Sequence, residues 1–257
     1  MNKGMNKGKI LKEKRRSPIL LLKNLLFYHW RSLLLMLMGV YLPLQVVEVL
    51  AVKIWQDEGS FPWDVPILMA IHSTTNPRLD FIALVLTKWG SFWTALLVLS
   101  VITILLLRKR RWRTVVYILT TAVGNLIINR TAKEFMHRVR PQLWVSKAPE
   151  FDYAFPSGHA MTSMTLIAIL LILTWHRPWR WLVLSVGSLY LLVIAWTRLY
   201  LGVHFPSDIL VGWMVALAWA IGVSLIIKPN VHRHTAVNST IKTETTLLRE
   251  EKQLSKH

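Results

Sequence analysis

The sequence predicts an all-α polytopic membrane protein, with six transmembrane helices and an active site at the extracytoplasmic membrane surface. Composition comes first: of 257 residues, 53% are hydrophobic, 13 are Trp, and the mean hydropathy is +0.40, too apolar for an ordinary soluble domain. Charge comes second. Lys and Arg number 31 against 13 acids, and they gather at the ends of apolar runs instead of forming one continuous patch, which argues for a membrane chain and against a nucleic-acid binder. The third observation is that polar clusters recur at one end of these runs. With no Cys, disulfides, thiolate metal sites and Cys nucleophiles are excluded.

Residues 1–31 form a basic cytoplasmic segment with nine Lys or Arg, either a basic tail or an amphipathic helix on the membrane surface. The first span runs from Ser32 to about Val52, roughly the length a bilayer requires. Glu48 is costly in lipid, so it should face protein or lie near the interface. In the connection 53–90, the apolar patches Val65 to Ile71 and Phe81 to Leu86 are too short to span and read as interfacial helices, with Trp55, Trp63, Trp89 and Trp93 at headgroup level. Further spans follow at Ser91 to Leu107, Thr114 to Ile128 (its helix continuing through Lys133), Gly158 to Trp175, Trp181 to Trp196 and Ile209 to Ile227. The spans define one domain, 32–227, followed by a polar cytoplasmic tail, 228–257, with a short helix near Thr246 to Leu254. Asn238-Ser239-Thr240 matches a glycosylation acceptor by chance, given its cytoplasmic place. The basic turns 108–113 and 176–180 put both termini in the cytoplasm. The outer loops then keep Lys133, Arg138, Arg140, Lys147 and Arg198 on the disfavoured side, which calls for a chemical reason.

Three outer clusters offer one. Lys133 and Arg140, seven apart and followed by Pro141, would share a helix face ending at Arg140. A point charge and a planar fork suit phosphate, and a solvated basic helix end is the plainer alternative, to which Arg138 and Arg130 are assigned. Pro156-Ser157-Gly158-His159 opens a helix: Ser caps it, Gly admits a ligand to the backbone, the free N–H groups suit an anion, and His159 carries a proton. An ordinary capped helix would look the same. In the third cluster, Arg198, His204 and Asp208, Pro206 sets a helix start that lets Asp208 reach back to the His204 ring. An N-terminal helix charge beside an interfacial His is again the alternative.

In order and spacing the three clusters together resemble the motifs of the type 2 phosphatidic acid phosphatase and vanadium haloperoxidase superfamily, and the six-span layout resembles its integral-membrane lipid phosphatase branch. Thr197 stands where the family pattern usually has Ser, and keeps the hydroxyl. The resemblance implies a metal-independent phosphohydrolase without cofactor, working through a phosphohistidine. By the resemblance His204 attacks phosphorus, Asp208 holds its other ring nitrogen, and His159 protonates the leaving oxygen and then activates water. Lys133, Arg140, Arg198, Ser157 and the Gly158 N–H would cradle the phosphoryl oxygens. Acids near the motifs look sparse, so no Mg²⁺ or Zn²⁺ site is expected. The implied substrates are phosphatidic acid, phosphatidylglycerophosphate, and undecaprenyl or other isoprenoid diphosphates. The expected location is a bacterial plasma membrane with the site facing outward. The rival is a lipid-phosphate binding or transport protein on the same fold.

Overall fold

The computed structural model describes residues 30–57 and 59–229; the basic N-terminal segment up to residue 29 and the tail from residue 230, with its acceptor and short helix, lie outside the described residues. Among the described residues all regular structure is helical. The helices are α1 (Trp30–Gln56), α2 (Asp64–His72), α3 (Pro77–Thr87), α4 (Phe92–Arg108), α5 (Trp112–Met136), α6 (Gly158–Thr174), α7 (Arg180–Tyr200) and α8 (Pro206–Ile227).

Four of these, α1, α5, α7 and α8, are long and apolar enough to cross a membrane, and α3 with α4 makes a fifth if the 42° bend between them lies within one span. The bend falls where the turn Lys88–Gly90 breaks the helix and Ser91 caps α4 through the Thr94 N–H. The segment Phe81 to Leu86, expected as an interfacial helix, lies within α3, the first helix of that bent pair. α6 is a shorter apolar helix of 17 residues. Glu48 lies exposed near the end of α1 and accepts from Gln45 at 3.0 Å.

α6 and α8 lie at the centre, both starting at the same end. Ala160 of α6, Ala195 of α7 and Ile209 of α8 pack together there. A Cβ on Gly212 would lie 3.0 Å from the Ser157 carbonyl oxygen, so a larger residue would push α8 from the start of α6 by a few tenths of an ångström. Deeper, Leu99, Tyr117, Ile118, Leu166, Ile169 and Val223 join α4, α5, α6 and α8 in one core. The outward faces stay apolar, with Leu97, Ile127 and Leu189 each more than half exposed, as a hydrocarbon surround requires. At the end where α6 and α8 start, Lys147 pairs with Asp80, Tyr200 donates to Asp80 at 2.9 Å, and Ser146 donates to the Leu201 carbonyl at 2.6 Å. These bonds tie the loop 137–157 down over the ends of α3 and α7.

Candidate active site

The end of α5 departs from the sequence expectation. The helix stops at Met136, and His137 takes a left-handed conformation (φ 47°) with its N–H on the Lys133 carbonyl at 3.2 Å. Arg140 therefore does not share a helix face with Lys133; it approaches from the loop, where Pro141 disfavours helix at Arg140. Lys133 is buried, donating to Asp152 Oδ2 at 2.8 Å and to the Tyr153 carbonyl. Arg140 donates to the Val203 carbonyl at 2.7 Å, to Glu150 at 2.7 Å and to Asp152 Oδ1 at 2.5 Å.

Ser157 caps α6, accepting from the Ala160 N–H at 3.5 Å, and its own N–H bonds the Asp208 carbonyl at 3.2 Å, which joins the start of α6 to that of α8. Gly158 and His159 line the same cavity as Lys133, Glu150 and Asp152. Arg198, 2% exposed, reaches Thr87 of α3 at 2.8 Å and pairs with Glu150. His204 is 1% exposed and lies in the loop before α8. Its Nε2 is 3.1 Å from Arg140 Nη1, and its Nδ1 is 3.5 Å from Asp208 Oδ2, an ion-pair distance beyond a good hydrogen bond. Burial first, then the Arg140 and Arg198 charges, push the His204 imidazole well below its ordinary value, so it is neutral at physiological pH.

The three sequence clusters thus converge, linked by two carboxylates that sequence reasoning missed. Glu150 touches Arg140 and Arg198 and comes within 3.8 Å of His204 Nε2; Asp152 bridges Lys133 and Arg140. The acids near the motifs are therefore not sparse. Burial raises both, but the surrounding cations outweigh it: Arg198 and Arg140 among others for Glu150, Lys133 and Arg140 for Asp152, each held at about 2. The only forewarning was that buried cations need counterions.

Arg138 also departs from the sequence expectation. It is not a solvated helix-end charge but is 4% exposed, pairing with Asp208 at 2.5 Å and with Asp64 of α2 at 3.1 Å. Arg130, by contrast, is exposed as expected. Among the described residues no group of three or more His, Asp or Glu is arranged to hold a metal ion.

A cavity of about 570 Å³ leads from this cluster between α4, α5 and α6. Beyond Asn129 its walls turn apolar, and Leu96, Ile104, Leu119 and Val123, all at least 43% exposed, open it onto the outer faces of these helices.

Comparison with known proteins agrees with this architecture. The chain is 26% identical over 195 residues to the undecaprenyl-diphosphatase of Sulfolobus acidocaldarius, covering 74% of this chain and 86% of that protein. It is 28% identical over 114 residues to phosphatidylglycerophosphatase B of Bacillus subtilis, covering 42% of this chain and 55% of that protein. The crystal structure of a transmembrane PAP2-type phosphatidylglycerolphosphate phosphatase from Bacillus subtilis superposes with a TM-score of 0.63 over 76% of this chain and 100% of that one; at 23% identity this shows likeness of fold. Residues 112–231 match the family model of the PAP2 superfamily, a segment that begins at α5, passes through all three polar clusters and closes just beyond α8.

Proposed function

We propose that this protein is a metal-independent membrane lipid phosphatase that hydrolyses a phosphate or diphosphate ester through a phosphohistidine. The observation that carries the reading is a buried His204, 3.1 Å from Arg140, that meets Arg140 and Arg198 around Glu150, while Glu150, Lys133 and His159 line a largely apolar cavity. The cations fit a phosphoryl group and the cavity fits hydrocarbon. Relatives named for lipid phosphate hydrolysis support the same class.

In the proposed reaction the substrate phosphoryl group displaces Glu150 and Asp152 from the cations. The His204 Nε2 lone pair forms the N–P bond as the ester P–O bond breaks, and His159 gives its proton to the leaving oxygen. Asp208 stabilises the charge that develops on the ring through Nδ1–H. Arg140, Arg198, Lys133 and the Ser157–Gly158 helix start stabilise the equatorial oxygens. Water, deprotonated by His159, then attacks phosphorus; the P–N bond breaks, and inorganic phosphate and free His204 are regenerated. With a diphosphate, the lipid monophosphate is the leaving group.

The same reading takes α1, the α3–α4 pair, α5, α6, α7 and α8 as six crossings, with the site outward and both termini inside. Because the chain has no Cys, single cysteines introduced at positions 145 and 110 test this directly. An impermeant thiol reagent should label the first from outside and spare the second; the reverse pattern would invert the topology.

The functional test is phosphate release by detergent-purified protein without added metal. The panel is phosphatidic acid, phosphatidylglycerophosphate and undecaprenyl diphosphate. Release should occur from at least one of these, survive a chelator, be inhibited by vanadate and vanish in His204→Ala. Activity retained in His204→Ala, or lost to the chelator and restored by Mg²⁺, would overturn the mechanism. Lipid binding without turnover would favour the transport reading.

A further inference from the structure

Arg138 and Asp64 form a second ionic layer behind the proposed catalytic pair. Arg138 Nη1 donates to Asp208 Oδ1 at 2.5 Å and to Ser207 Oγ at 2.8 Å; its Nη2 donates to Asp64 Oδ2 and to the Gly59 carbonyl, both at 3.1 Å. Its guanidinium lies over the Phe205 ring at 4.5 Å. Asp64 accepts the Ser207 N–H at 3.0 Å, the Ser207 hydroxyl at 2.6 Å and the Phe61 N–H at 3.0 Å. The side chains of Arg138, Asp64 and Asp208 are 1%, 0% and 0% exposed.

Two things follow from this geometry. Phe205 precedes α8 and has no side-chain acceptor to cap it; Asp64, from a helix more than a hundred residues earlier, takes the Ser207 N–H in its place. The first turn of α8, which carries Asp208, is thus gripped from outside. Arg138 also occupies Asp208 Oδ1, which turns Oδ2 toward the Phe205 N–H at 2.8 Å and His204 Nδ1 at 3.5 Å. Arg138 points away from the phosphate-facing cations: its bonds are to Asp208, Ser207, Asp64 and Gly59, whereas Arg140 bonds the site acids.

We infer that Arg138, backed by Asp64, is a positioning residue that fixes Asp208 against His204. The reacting unit then extends from His204 through Asp208 and Arg138 to Asp64, on α2, which lies before the segment shared with the family. The inference rests on the proposed phosphatase reading. Arg138 acts on the rate of phosphoryl transfer and not on the grip on phosphate, because a carboxylate that orients the nucleophile works mainly in the transition state.

The test is a double-mutant cycle in the full-length protein, read by single-turnover phosphate release from whichever substrate the wild type uses. Arg138→Met should lower the rate constant by about 10²-fold or more with KM and vanadate affinity changed less than about threefold, as expected for a group acting only in the transition state. Arg138→Lys should recover part of the rate. In an Asp208→Asn background the further effect of Arg138→Met should fall below about twofold, because groups acting as one unit are non-additive. Asp64→Asn, which keeps the shape and removes the charge, supplies a milder variant if Arg138→Met fails to fold; it should lower the rate constant severalfold in the same non-additive way. Additive effects, or a rise in KM with the rate constant intact, would overturn the inference and leave the phosphatase standing. A wild type that releases no phosphate would instead remove the reading on which the inference depends.

Discussion

Arg138 and Arg140 lie two residues apart and meet opposite surroundings. Arg138 is 1% exposed and pairs with carboxylates that are both 0% exposed. Arg140 is 11% exposed and pairs with Glu150 and Asp152, whose side chains are 29% and 45% exposed. A charge paired with no access to water cannot exchange its partner without leaving an ion bare in a low-dielectric interior. A pair whose carboxylates stay wet can, because water re-solvates whichever acid is displaced. The inner pair therefore holds shape, while the outer pair keeps the cations occupied yet available to phosphate. Two arginines separated by one residue can take these different tasks because the segment after His137 has left the helix and follows no regular helix or strand.

The largest effect should come from breaking the inner pair on one side. Arg138→Met leaves Asp64 and Asp208 buried without their shared cation, and a buried pair broken in this way costs about 3–5 kcal/mol. Chemical unfolding in detergent should show this loss. The double variant Asp64→Leu with Arg138→Met removes one of the two stranded carboxylates and should regain part of the stability but not the activity; recovery of both would remove the distinction between the two arginines. Changes to the outer pair should be smaller and of opposite benefit. Asp152→Asn with Glu150→Gln removes the acids that compete for the cations, so vanadate should inhibit about twofold to fivefold more tightly, since a half-exposed pair contributes up to ~1 kcal/mol. Weaker inhibition would mean that these acids assist anion binding.

The smallest expected effect is in pH dependence. Glu150 and Asp152 are held at about 2, below ordinary values of 4.5 and 3.8. A depressed carboxyl stabilises the fold fully above its unfolded value and loses that contribution as pH falls through its folded value. Thermal stability should therefore carry no signature of these acids above about pH 5 and decline between about pH 4 and 2. In the Glu150→Gln, Asp152→Asn protein that part of the decline should flatten; an unchanged profile would place the acid sensitivity elsewhere.

Much of this arrangement was legible in the sequence. The long spans show by length and apolarity, and the three clusters by residue type and spacing, because each is local along the chain. Arg140 was placed wrongly because a helix carried through to Pro141 satisfies the same spacing, and nothing local marks His137 as the left-handed stop. Asp64 and Arg138 escaped for a different reason. Their pairing joins residues 74 apart, and a buried ion pair leaves no periodic trace: each reads alone as a surface charge. Glu150 and Asp152 are lone acids in an irregular loop, and only the convergence of Lys133, Arg140 and Arg198 above them reveals a role.

The cavity between α4, α5 and α6 opens toward lipid, while the cations above it lie under the loops that meet water. On the proposed reaction the two products therefore leave into different phases. Inorganic phosphate escapes to an aqueous volume that dilutes it, and the dephosphorylated lipid spreads in the plane of the bilayer. Reversal would need both to return together, so the partition itself makes hydrolysis run one way. The concentration that sets the rate is then the mole fraction of substrate in the membrane, and adding inert lipid at constant total substrate would slow the enzyme as surely as an inhibitor.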